Sequence, residues 1–150
     1  MSAIDEQLNE LTEFMPIEKL RQRISSATAW VGREPDAAVA STVIGADGIA
    51  LASLYLTAGD LLVEVSLTSL YDNFDVMKLA VFNARVTLGV QEVKVGEQVV
   101  ASYHTAIVTL QHSSSPGLTS VISYAGAEPP TKWLATVKAA FPIELLQRTV

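Results

Sequence analysis

From Gln98 through Ala127 the chain runs for thirty residues without a single Asp, Glu, Lys or Arg, although ten basic and sixteen acidic residues are spread over the rest of its 150 positions. A stretch of that length cannot lie open to water on every side. It calls for strands covered on both faces by the chain itself or, less commonly, for pairing with another subunit. Residues 99–110 and 118–124 are expected to form a hairpin around Ser113-Ser114-Ser115-Pro116-Gly117.

Upstream, the apolar period is already two from Ala38 onward. Strands are expected at 39–44, 49–56 and 61–67, separated by the turn-like strings Gly45-Ala46-Asp47-Gly48 and Thr57-Ala58-Gly59-Asp60. In the third, Leu61, Val63, Val65 and Leu67 alternate with Leu62, Glu64, Ser66 and Thr68, which predicts one core face and one mostly wet face. Residues 71–95 read two ways: Phe74, Met77, Val81 and Phe82 fit a helix, and Val86, Leu88 and Val90 a strand face. A short element followed by a strand is favoured. The apolar parity changes past Gly89, toward Val93 and Val95, so a β-bulge is expected between Gly89 and Glu92.

The first 26 residues carry Ile4, Leu8, Leu11 and Met15 at helical spacing, then Pro16, then Ile17, Leu20 and Ile24. Two amphipathic helices or one kinked helix follow. Acidic residues lead (Asp5, Glu6, Glu10, Glu13, Glu18) and Lys19, Arg21 and Arg23 come after, the order a helix dipole favours. Residues 32–37, with Pro35 and Asp36, form the closing loop. Pro129-Pro130-Thr131 starts a last helix with Trp133, Val137, Ala140 and Phe141 on one face, stopped by Pro142. The fold class is therefore α+β: N-terminal amphipathic helices, an antiparallel sheet or partly open small barrel of about 6–7 strands, and a C-terminal capping helix. The length suits a single domain, with 1–37 as a helical extension, 38–141 as sheet plus helix, and 142–150 as a tail.

Composition narrows the partners. A net charge of −6 repels phosphate backbones and anionic lipid, which excludes nucleic acid and acidic membrane surfaces as expected partners. Cysteine is absent, removing disulfides, thiolate metal sites and cysteine nucleophiles together. Asp5 and Glu6 stand where a secretory signal would need positive charge, and uncharged stretches are broken by Ser, Thr, Gly and His, so a cytoplasmic location is expected.

No cofactor or metal is implied by the motifs. His104 and His112 lie eight residues apart, roughly 27 Å in an extended strand, too far to share an ion. A hydrogen-bonded strand histidine and a loop histidine are the readings. Ser113 to Ser115 beside His112 lack a G-x-S-x-G elbow and a nearby acid. Tyr71-Asp72-Asn73-Phe74-Asp75 is dense in oxygen ligands, yet it lacks the central Gly and closing Glu of a calcium loop and reads as an Asx turn. No glycine pattern fits a nucleotide.

The order of elements, short antiparallel strands closed by a helix with Trp133 on its apolar face, resembles the pleckstrin-homology or GRAM-like superfold. Leu54-Tyr55-Leu56-Thr57 followed by residues 61–65 is similar to the first hairpin of that group. The resemblance covers about 38–141. Members that hold phosphoinositides use basic residues at the first hairpin loop; here Thr57-Ala58-Gly59-Asp60 contains none. What the resemblance implies is instead the protein-interaction or self-assembling use found in bacterial relatives of the fold. A second resemblance, to dimeric secretion chaperones that bind a protein client, requires residues 74–88 to be helical and to form the dimer face.

The expected function is a non-catalytic protein-interaction or self-assembling module, its partner a protein or a second copy. The candidate surface comprises Tyr103, His104, Thr105, Ile107, Thr109 and His112 of the uncharged hairpin with Leu8 and Leu11 of the N-terminal helix. Two contrasting readings are a small enzyme using His104, His112 or the Asp72/Asp75 pair, and a barrel holding a small apolar ligand.

Overall fold

A computed structural model of the chain describes residues 7–9, 16–44, 50–67, 73–79, 81–112 and 119–141. Leu11, the strings 45–48 and 113–117, Tyr71, Asp72 and the tail beyond Pro142 lie outside the described residues. The fold is α+β, with two antiparallel sheets that do not close into a barrel. Helix α1 (Ile17–Val31) precedes β1 (Ala37–Ile44), β2 (Ala50–Ala58), β3 (Leu61–Ser66) and β4 (Phe74–Lys78), which form a four-stranded sheet in sequence order. Strands β5 (Val81–Val95), β6 (Gln98–His112) and β7 (Thr119–Gly126) form a three-stranded sheet, also in sequence order, and α2 (Thr131–Ala140) follows.

The chain divides into two compact units, Met1–Ser41 with Ala52–Ala80 and Thr42–Leu51 with Val81–Val150. In the first unit Leu20, Ile24 and Ala27 recur at helical spacing on α1 and are buried with Ala52, Leu54 and Leu56 of β2 and Val63 and Val65 of β3 in one core. Helix α1, with Leu8 before it, thus contributes to the core of this unit. Pro16 supplies the first carbonyl of α1, accepting from the N–H groups of Lys19 and Leu20, a position where the missing proline donor costs nothing. The helix continues to Val31, beyond the expected end, because Gly32 at φ 80° supplies the left-handed cap, donating to the Thr28 carbonyl. Lys19, Arg21 and Arg23 consequently lie in its first half; Glu18 occupies its first turn and no basic residue its last, while Asp5, Glu6, Glu10 and Glu13 lie outside the described residues.

Strand β3 departs from its expected wet face. Leu62 is fully buried, and so are Tyr55 and Thr57, its near neighbours on the same side of β2. Both faces of this hairpin are covered, and alternation in the sequence registers Glu64 and Ser66 but cannot reveal that cover. Tyr55 stands directly opposite Glu64 and donates its hydroxyl proton to Glu64 Oε2. Burial, followed by that hydrogen bond and the Glu64 charge, pushes the phenol pKa well above its ordinary range.

Residues 74–78 and 81–95 are strands, so the helix that a secretion-chaperone likeness requires over 74–88 is not present. Helical spacing of Phe74, Met77 and Val81 misleads because Lys78 ends one strand and Val81 opens the next. The β5–β6 ladder runs unbroken through Gly89 to Glu92; the bulge falls just beyond, where Val93 faces Ala101 and Lys94 faces Val99, leaving Val100 as the surplus residue on β6. The parity change in β5 was real in composition, but the extra residue belongs to its partner strand. A second shift lies between Val81 and Asn83.

The hairpin of β6 and β7 forms as expected, from Gln111 opposite Thr119 to His104 opposite Gly126. Helix α2 buries Trp133 and Val137, with Phe141 just after it, and the Trp133 ring lies 5.7 Å from that of Tyr124 on β7. Tyr124 donates its hydroxyl to the Glu128 carbonyl. Gly126 is required beside it: a Cβ there would sit 2.7 Å from Tyr124 Cζ.

Candidate interaction surface

Six of the residues expected at a contact surface lie on β6, and strand alternation divides them. Tyr103, Thr105, Ile107 and Thr109 share one face, opposite Gln91, Gly89, Thr87 and Arg85 of β5. His104 and His112 belong to the other face, with the fully buried Ala106, Val108 and Leu110. A single flat partner cannot meet both sets. Ile107 is exposed, while Tyr103, His104, Thr105 and Thr109 are half-buried.

His112 is not a loop residue on a surface. It ends β6, is 1% exposed, and its Nε2 lies 2.9 Å from the Ser120 hydroxyl. Among the described residues Nδ1 has no hydrogen-bond partner, so no carboxylate orients the ring as a nucleophile's base would need. Leu8 is likewise fully buried, in the core of the first unit. Both residues are withdrawn from the candidate surface by burial. No cluster of His, Asp and Glu among the described residues could hold a metal ion, and no helix among them is long and apolar enough to cross a membrane.

Two clefts open within the second unit. One, of about 120 Å³, is lined by Thr105, Ile107, Ser123 and Ala125 of the sheet and by Val43 and Ile44 of β1; it is small beside the ~300–1,000 Å³ of ligand sites. The other, of about 360 Å³, is lined among the described residues by Arg85 with Ala84, Thr109, Gln111 and Thr119.

What sequence reasoning missed is the outer edge of β5. The strand is fifteen residues long, and among the described residues no strand pairs with its far side. Past the last β7 pairing, residues 91–95 and 98–103 continue as a two-stranded arm. Its turn is the two-residue Gly96-Glu97, with Gly96 at φ 63°, the positive angle that the first central position of a type II′ turn requires. Leu88, Val90, Val95, Val99 and Val100 along and beside the arm are all exposed, Val90 at 63% and Val95 at 68%. Glycine at the first turn position between apolar runs was the signal available for it.

At the β2–β3 turn the fold assembles positive charge that the loop sequence lacks. Arg33 and Lys78 both come to it, but Asp36 lies 2.6 Å from Arg33, and Asp60 3.9 Å from Lys78. Asp36 also accepts from the Gly59 N–H at 2.7 Å. Among the described residues, each of these two cations lies beside an anion. No family model, no curated protein and no solved structure matches this chain.

Proposed function

We propose that the chain is a non-catalytic protein-interaction module, of the self-assembling kind, that acts through the outer edge of β5 and the arm it forms with β6. One observation carries this reading: a fifteen-residue edge strand whose apolar side chains Leu88 and Val90 stand open to water. Unpaired N–H and C=O groups along a long apolar edge are a template for another strand, and proteins that do not use such an edge blunt it with charge, proline or a short length. Here charge is sparse, with Arg85, Glu92 and Lys94 the only ionised groups in β5. The matched charges at the β2–β3 turn favour a protein over a lipid headgroup, in keeping with the pleckstrin-homology-like resemblance in its interaction form.

The test is a variant that keeps strand propensity and removes the apolar surface: Leu88→Thr, Val90→Thr and Val100→Thr together. Sedimentation velocity should show the wild-type chain associating and the triple variant dissociating, with circular dichroism unchanged. Equal association of both would place the contact elsewhere and end this reading.

A further inference from the structure

The charge pattern of β5 specifies one way in which the strand can meet a second copy of itself. Two identical edge strands joined in one sheet by a two-fold axis run antiparallel, and directly opposed residues must project on the same face. The axis therefore passes between one residue and the same residue of the second copy, and the other residues placed opposite lie an equal number of steps either side of it. With Arg85, Glu92 and Lys94 the only charges in the strand, only one axis position opposes unlike charges. An axis at Val93 sets Glu92 against Lys94 of the second copy and Lys94 against Glu92. Axes at Glu92 or Lys94 set like charges together, and one at Gly89 opposes Arg85 to Val93 with no ionic match. Arg85 differs in parity from both Glu92 and Lys94, so no axis can pair it with either of them.

Glu92 and Lys94 are both exposed, and neither is engaged in an ion pair among the described residues. We infer that the chain forms a two-fold dimer by antiparallel pairing of β5 with β5 of a second copy, centred on Val93 and keyed by two reciprocal Glu92–Lys94 contacts. The overlap runs from Val90 to Gly96 and brings the exposed Val95 opposite Gln91. It also widens the narrowest part of the sheet: among the described residues the arm beyond β7 is two-stranded, two strands alone are marginal in water, and joined arms make four. Val93 is itself buried, and strand addition asks only for its backbone edge. This inference rests on the interaction reading above and names its partner and register.

Charge reversal of the full-length chain, followed by light scattering across a dilution series at low and high salt, tests it. Wild type should be dimeric. Glu92→Lys puts lysines at 92 and 94 of both copies, and Lys94→Glu puts glutamates there; each should weaken the dimer about tenfold or more, since like charges directly opposed in a sheet destabilise it. The double variant E92K/K94E restores both contacts and should dimerise like wild type. An equimolar mixture of E92K and K94E should form the heterodimer that neither forms alone. A wild-type chain that is monomeric at its highest soluble concentration overturns the inference. So does a dimer indifferent to the single reversals, or a mixture that fails to recover association. A dimer that resists charge reversal but is lost in the threonine triple variant sinks the register alone; a dimer that survives both sinks the interaction reading with it.

Discussion

The two units solve the problem of the sheet edge differently. In the first, the core gathers α1 against β2 and β3, and even the segment before α1 contributes, with Gln7 accepting from the Ala40 N–H of β1. Its central strands are buried on both faces, down to Tyr55, Thr57 and Leu62. In the second, burial is concentrated at one end of a long ladder: Val108, Leu110 and Ile122 are fully buried, whereas Val90, Val95 and Val100 at the other end are more than half exposed. A strand's apolar content therefore says little about its burial; what decides it is how many neighbours accompany it along its length.

The largest effect that would break this contrast is a cavity in the first unit. Leu54→Ala should lower the unfolding free energy by about 2–5 kcal/mol in urea titration, and a loss under 1 kcal/mol would mean that the core is not packed as described. Next comes the closing helix of the second unit. Gly126→Ala forces Tyr124 off its position against Trp133 and should cost about 1–3 kcal/mol, seen as altered tryptophan fluorescence together with a lower midpoint.

The buried phenol gives a pH dependence of definite sign. Tyr55 ionises near pH 10 in an unfolded chain and at higher pH when folded. Its contribution to stability is thus complete below about pH 10 and is lost as the pH rises beyond it. Urea midpoints measured from pH 8 to 11 should fall more steeply in wild type than in Tyr55→Phe, and parallel curves would contradict the burial of that hydroxyl. The smallest effect belongs to the arm: Val90→Thr and Val100→Thr should each change monomer stability by no more than about 0.5 kcal/mol, which sharpens the contrast with Leu54.

Much of the architecture was legible in residue order. Period-two alternation marks β1 to β3, Pro16 and Gly32 bracket α1, and Pro130 with Trp133 announces α2, because each of these signals acts over a few residues. The misreadings have a common origin in contacts distant along the chain. Helical spacing from Phe74 to Val81 spans two strands, and the surplus residue signalled by the parity of β5 sits on β6. His112 carries no local mark of complete burial, and Leu8 only that of an apolar helix stripe. The candidate surface was legible only as a region: the absence of charge from Gln98 onward points to β6, but which side chains meet water depends on β5 and β7 flanking it unequally. Edge status is a property of topology, and no window of sequence contains it.

The surplus residue at Val100 has a consequence for how this chain tolerates change in length. Removing Val100 leaves Lys94 opposite Val99 and Val93 opposite Ala101 in a regular ladder, so a single-codon deletion there is absorbed. The same deletion inside 106–110 turns part of the strand over and carries interior valine and leucine side chains outward. The β6 side of the hairpin tip therefore accommodates the loss of this one residue while β5 and the body of the sheet stay in frame.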